Sequence, residues 1–205
     1  LLDGSKDEDF IHISGLVQFC SFSWINIIEE SIVVGIGNVD RKRDFTYPSS
    51  VDLDRKEFPT SGNSADFMKF IEMELQPIVD KNYRISDKKT LIGQSLGGLL
   101  ATEILFKKPE LFDHYIIISP SLWWDGENLL NFELDKQQNL KSIYIGGGKE
   151  GPVMERLARS LYDKLSQELS DEGVLYYGYF ENQNHGDALH LAVYDAFEKL
   201  FKSEE

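Results

Sequence analysis

The run Gly93-Gln94-Ser95-Leu96-Gly97 sets a hydroxyl between two glycines, each two residues away. Ahead of it, Lys88-Lys89-Thr90-Leu91-Ile92 reads as the end of an apolar strand. Behind it, Gly98-Leu99-Leu100-Ala101-Thr102-Glu103-Ile104-Leu105 reads as a small-residue helix. A serine on a tight strand-to-helix turn is held with strained backbone and presented for nucleophilic attack on an acyl carbon. A side chain at either flanking glycine would strike the neighbouring strand or helix. The helix also points its N-terminus at the reacting group, where negative charge develops. A plain glycine-rich turn would read the same way, so the chemistry depends on partners elsewhere in the chain.

A serine hydroxyl needs a base, which near neutral pH is best a histidine. That histidine in turn needs an acid to fix its tautomer. In α/β-hydrolases the order along the chain is serine, acid, histidine. Of the four histidines, His12 precedes the serine. His114 opens a strand, at the opposite edge from the serine, and His190 falls inside the final helix. His185 follows the last strand directly, in Glu181-Asn182-Gln183-Asn184-His185-Gly186-Asp187. It is the expected base, with an exposed loop histidine as the bland alternative. Glu150 stands in the glycine-rich loop Gly146-Gly147-Gly148-Lys149-Glu150-Gly151 and is the expected acid. It could equally be a solvated carboxylate favoured by the dipole of the helix that follows. Asp125 is the second candidate, and Asp187 lies too near His185 in sequence. An oxyanion hole needs two backbone N–H groups. Leu96, next to the nucleophile, is expected to supply one, and Ser5, in the loop after Asp3-Gly4, the other.

The elements that would position these groups alternate. Strand signals fall at 31–37, at Leu91 and Ile92, at 115–119, at 142–146 and at 174–180. The first, β-branched run reads as a buried parallel strand. Helical periodicity runs from a Ser64 cap through Phe67, Phe70, Ile71, Leu75 and Ile78, with a kink expected at Pro77. It recurs in Val153, Leu157, Leu161 and Leu165, and in Leu189, Val193, Phe197 and Leu200. The polar stretch 41–63 reads as an extended loop over the strand ends, where ligands bind in open sheets. Alternation of this kind implies an α/β fold, a mostly parallel sheet with helices on both faces, in one domain over 1–205.

Composition limits the partners. The 205 residues carry 41% hydrophobic and 12% aromatic content, which suits a globular core. With 35 acidic against 21 basic residues and a net charge of −14, a nucleic-acid partner is not expected. No apolar run reaches the length of a membrane span. Cys20 is the sole cysteine and reads as a small buried hydrophobe. A single cysteine and the lack of a visible leader favour the cytoplasm. The abrupt opening Leu1-Leu2-Asp3-Gly4 looks like the end of a strand whose beginning is missing, which keeps the compartment open.

Across nearly the whole chain these residues resemble the putative-esterase family of α/β-hydrolases. That group includes siderophore esterases, S-formylglutathione hydrolases, feruloyl esterases and mycolyltransferases. The likeness rests on Leu1-Leu2-Asp3-Gly4, on Val33-Val34-Gly35-Ile36 with Arg41, Arg43-Asp44-Phe45-Thr46 and Pro48, and on Gly93 to Gly98. It extends through Ser119-Pro120-Ser121-Leu122-Trp123-Trp124 to Gly147-Gly148-Lys149-Glu150 and Asn184-His185. The resemblance implies an α/β-hydrolase fold whose early strands lie upstream of Leu1. It also implies a triad of Ser95, Glu150 and His185, a small or siderophore-like ester as substrate, and neither metal nor organic cofactor. Arg41 and Arg43 would either meet an anionic or catechol substrate at the rim or pair with local carboxylates such as Asp44. Trp123 and Trp124 would either line an aromatic acyl pocket or cover the core. Acyl transfer on the same scaffold, and a catalytically silent binding scaffold, are the competing readings.

Overall fold

The computed structural model describes residues 1–134, 141–169 and 175–202. Among them, β1 (Thr90–Gln94), β2 (His114–Ile118), β3 (Ser142–Gly148) and β4 (Leu175–Phe180) form one sheet in that order, all neighbours parallel. Val174, the start of the last strand signal, lies outside the described residues. Gln94, Ile118, Gly146 and Gly178 are aligned in register, so the four strands end along one rim.

Alternation along the strands explains why both faces are covered. Leu91, Tyr115, Ile117, Ile143 and Ile145 enter one apolar cluster with α6 (Leu96–Lys107) and α7 (Pro152–Glu168). Ile92, Ile116, Ile118 and Tyr144 point the other way, into a second cluster with α1 (Phe10–Ser21) and α8 (Leu189–Phe201). A period of two on a parallel strand thus buries side chains on both faces. Leu157, Leu161 and Leu165 give α7 its buried stripe, while Val153, expected with them, is exposed. Cys20 is buried, as a small hydrophobe would be.

Several local expectations are corrected. Residues 31–37 are not a buried strand: they are exposed or half-buried, and none of them belongs to the sheet. Leu1 bonds Val34 O and Ile36 N–H, the pattern of parallel neighbours, and Gly4 N–H reaches Ile36 O at 2.9 Å. Leu2 N–H in turn donates to Ile92 O at 3.0 Å. Among the described residues the β-branched run pairs through Leu1–Gly4 and is otherwise half-exposed.

The stretch 41–63 is not a plain loop. It holds α2 (Arg41–Phe45), capped by the Asp40 carboxylate on Arg43 N–H at 3.0 Å, and α3 (Asp52–Glu57). Ser64 opens α4 (Ser64–Phe70) but caps nothing; Asn63 holds the cap position and the Ser64 hydroxyl is buried without a partner. Pro77, where a kink was expected, stands in the first turn of a helix. A π-helical turn, Ile71–Leu75, leads directly into that helix, α5 (Gln76–Asn82). Ile78 is exposed. Helix α1 was not foreshadowed by the periodicity of strands and helices elsewhere. It buries Ile13, Val17 and Cys20 along one side.

Candidate active site

Each expected side chain stands just beyond the C-terminal end of a strand: Ser95 after β1, Glu150 after β3 and His185 after β4. Ser95 takes φ 59° and ψ −119°, a conformation that strains a residue with a Cβ by about 1–3 kcal/mol. Hydrogen bonds hold it there. Ser95 N–H donates to Ile118 O at 3.1 Å, and Ser95 O accepts from Leu99 N–H at 2.9 Å and Ser121 N–H at 3.0 Å. The flanking glycines are required by space. A Cβ on Gly93 would stand 2.4 Å from Gly97 O, a backbone atom that cannot move aside without breaking the turn.

The base and acid are in contact. His185 Nδ1 lies 2.5 Å from Glu150 Oε2. The Glu150 side chain is 2% exposed, against 45% for His185. Its other oxygen, Oε1, accepts from Gly148 N–H at 2.8 Å and from the Ser119 hydroxyl. Burial pushes the Glu150 carboxyl up, but hydrogen bonds from His185, Ser119 and Gly148 together outweigh it, leaving the group below its ordinary range. It is therefore ionised at neutral pH. A carboxylate on Nδ1 fixes the proton there and leaves Nε2 as the basic nitrogen.

A cleft of 370 Å³ brings Ser95, His185 and Gln94 together with Asp3, Glu8, Asp9 and Arg41. The Ser95 hydroxyl hydrogen-bonds the Ser121 hydroxyl at 3.4 Å, and among the described residues no hydrogen bond joins it to the His185 ring. In ligand-free active sites this bond is commonly long and tightens on substrate binding. The loop carrying His185 is tied to the elbow: Gln94 Nε2 donates to His185 O at 2.6 Å.

Leu96 opens the 12-residue helix α6, so its N–H has no intrahelical acceptor. The expectation for Ser5 is corrected. Its N–H donates to Glu8 Oε2 at 3.2 Å, a carboxylate three residues along the same turn, and is not free in this conformation.

The remaining sequence candidates divide. Arg41 lines the cleft but clasps Asp3, Nε to Oδ1 at 2.6 Å and Nη2 to Oδ2 at 2.8 Å. Arg43 is outside the cleft and pairs with Asp44 at 2.8 Å, so it takes the local-carboxylate role rather than the substrate role. Trp124 is fully buried and donates its indole N–H to Tyr47 O at 2.9 Å, which removes it from contact with any ligand. Trp123 is half-buried against Phe58 and Trp124 and does not line the cleft. Asp125, the second acid candidate, is occupied by Ser49, Ser50 and Asn128. His114 sits at the opposite end of β2, with Nδ1 2.6 Å from the Ser142 hydroxyl. His190 packs edge-on against His12.

Gln94, Ser119 and Ser121 were not assigned roles from sequence. Ser119-Pro120-Ser121 was visible as part of the resemblance, but its two hydroxyls acquire meaning only from their distances to Glu150 and Ser95. Gln94 occupies a variable place in the pentapeptide and left no signal.

A parallel sheet covered on both faces, with a strained serine after one strand and a carboxylate–histidine pair after two others, defines an α/β-hydrolase. Two solved structures share that architecture. An IroE-like serine hydrolase from Shewanella oneidensis superposes with a TM-score of 0.83 at 27% identity, covering 98% of this chain and 68% of that one. A BES protein from Bacillus cereus gives 0.81 at 28% identity, over 98% and 81%. The chain belongs to the family described as Putative esterase, whose model matches residues 1–186. Among curated relatives, ferri-bacillibactin esterase BesA of Bacillus subtilis is 33% identical over 167 residues, 70% of this chain and 57% of the relative. The chain thus spans little more than half the length of that relative. Among the described residues, no helix is long and apolar enough to cross a membrane.

Proposed function

We propose that the chain is a serine carboxylic ester hydrolase that works through an acyl-enzyme. Ser95 Oγ attacks the ester carbonyl and His185 Nε2 takes its proton. The Leu96 N–H receives the developing oxyanion. His185 then gives its proton to the departing alcohol. In the second half, His185 draws a proton from water, which attacks the acyl carbon and frees Ser95. Glu150 holds the imidazole in the required tautomer and stabilises the imidazolium. The observation that carries this reading is the 2.5 Å His185–Glu150 contact at the cleft that also holds the strained Ser95.

The substrate is a small or siderophore-like ester, in keeping with relatives named as siderophore esterases from Bacillus subtilis and from two fungi. Hydrolysis of short-chain, aromatic and siderophore esters, with Ser95→Ala as control, tests it. Turnover that vanishes in Ser95→Ala supports the reading, and turnover that survives the substitution contradicts it. Adding an alcohol acceptor separates transfer from hydrolysis: an ester product in place of the free acid would mean an acyltransferase.

A further inference from the structure

The charges beside the nucleophile point the opposite way from those that would hold an anionic ester. Among the described residues lining the cleft, Arg41 is the one cation; its Nε and Nη2 donate to Asp3 at 2.6 and 2.8 Å, and Nη2 also reaches Gln94 O at 3.4 Å. Asn38 Nδ2 donates to the same carboxylate at 2.6 Å, so Asp3 and Arg41 form a neutralised, hydrogen-bonded pair in the cleft wall. Glu8 and Asp9 remain. Glu8 accepts from Ser5 N–H and from Asn38 Nδ2, both at 3.2 Å. Burial pushes its carboxyl up, but the Asn38 and Ser5 hydrogen bonds and the Arg41 charge outweigh this, so it stays ionised. Burial pushes the Asp9 carboxyl above its ordinary range, against the pull of His12, 3.7 Å away, and of Arg41. Arg43, which might have offset them, is bound to Asp44 and stands outside the cleft.

We propose that Glu8 and Asp9 set the substrate class of this site, selecting neutral or cationic esters and disfavouring anionic ones. The inference rests on the serine-esterase reading and narrows it. Two carboxylates share a small cleft with Ser95, and a ligand there is within a Debye length of both. Each unit charge across such a cleft changes the encounter and binding of a charged ester by about threefold, and the two together by about tenfold.

The test uses three fluorophosphonates of matched size, ending in a trimethylammonium, a tert-butyl and a sulfonate group. Ser95 Oγ forms a bond to phosphorus, the P–F bond breaks, fluoride leaves and the serine proton passes to His185. The rate of mass increase on the Ser95 peptide is followed by mass spectrometry. The cationic probe is expected to react about tenfold faster than the neutral one, and the anionic probe about tenfold slower. In the Glu8→Gln, Asp9→Asn double variant the three rates should converge to within about twofold. Raising salt from about 0.02 M to about 0.5 M on the unmodified chain should compress the same order, which gives a readout that needs no variant. Equal rates in the unmodified chain, a faster anionic probe, or an order that survives both substitutions and salt would overturn the inference while leaving the nucleophile intact. Failure of all three probes to label Ser95 would instead sink the esterase reading on which it rests.

Discussion

Replacing Glu150 by glutamine should cripple the site more thoroughly than its small change in shape suggests. Oε1 accepts from two donors, Gly148 N–H at 2.8 Å and the Ser119 hydroxyl, while Oε2 faces His185 Nδ1 at 2.5 Å. A glutamine oxygen placed to satisfy Gly148 turns its NH₂ toward His185. Nδ1 must then accept, the proton moves to Nε2, and the ring can no longer take the proton of Ser95. Turning the amide over restores the tautomer but sets NH₂ against Gly148 N–H, at about 1–3 kcal/mol for the stranded donors. The productive fraction falls to roughly a tenth to a hundredth. Loss of the charge that stabilises the imidazolium removes about 1.5–3 kcal/mol more, the worth of a charged hydrogen bond. Together the drop in kcat is about 10²–10⁴, in line with the analogous acid-to-amide change in a serine protease triad. Stopped assays on an activated aryl ester, with circular dichroism confirming the fold, measure it. A variant within about threefold of the unmodified chain would refute the tautomer argument.

Other consequences are equally direct. Ser95→Ala and His185→Ala should each lower kcat by about 10⁴–10⁶, and the double variant by no more than the worse single one, because the pair acts as a unit. Ser119→Ala removes one of the two donors to Glu150 Oε1 and should cost about three- to thirtyfold in kcat with KM unchanged, and Ser119→Thr should recover part of it. Gly93→Ala forces a Cβ to 2.4 Å from Gly97 O; urea denaturation should show a loss of about 2–4 kcal/mol or failure to fold, whereas a silent substitution would deny the tight turn. Asp125 lies below its ordinary range: burial pushes it up, but bonds from Ser50, Asn128 and Ser49 outweigh this. Its contribution to stability is therefore fully present above the unfolded aspartate value, about 3.9, and drains as pH falls through the lower folded value. Asp125→Asn should flatten the fall in urea midpoint on acidification, and an unchanged slope would contradict the assignment.

The site was legible from sequence where chemistry restricts the residue type and the order. A nucleophile needs its glycines, a base is expected after the last strand and an acid between them, and the three side chains this singles out, Ser95, Glu150 and His185, stand beyond the ends of strands in the fold, with His185 2.5 Å from Glu150. Backbone groups leave no such mark. Ser5 N–H was expected to be free, and only the fold shows Glu8 curling back over it at 3.2 Å. Side chains whose role depends on distance were also hidden, as with Gln94 on the His185 carbonyl at 2.6 Å. The strands of the sheet announced themselves because burial on both faces demands continuous apolar runs. The run 31–37 carries the same residue types yet, among the described residues, stays outside the sheet and bonds the extended stretch Leu1–Gly4. Short helix α2 escaped periodicity because a cap at Asp40 starts it and five residues complete it. Trp124 shows that composition does not tell a pocket aromatic from a core one. It is buried in the apolar cluster, and its indole N–H finds a carbonyl 77 positions away, Tyr47 O.

An acyl-enzyme mechanism requires a covalent bond to Ser95. Rapid quenching during turnover of an activated ester, followed by peptide mass mapping, should find the acyl group on the peptide containing Ser95, rising and decaying at rates that reproduce kcat. Steady turnover with no acylated peptide, or acylation on another residue while Ser95→Ala keeps its rate, would contradict it.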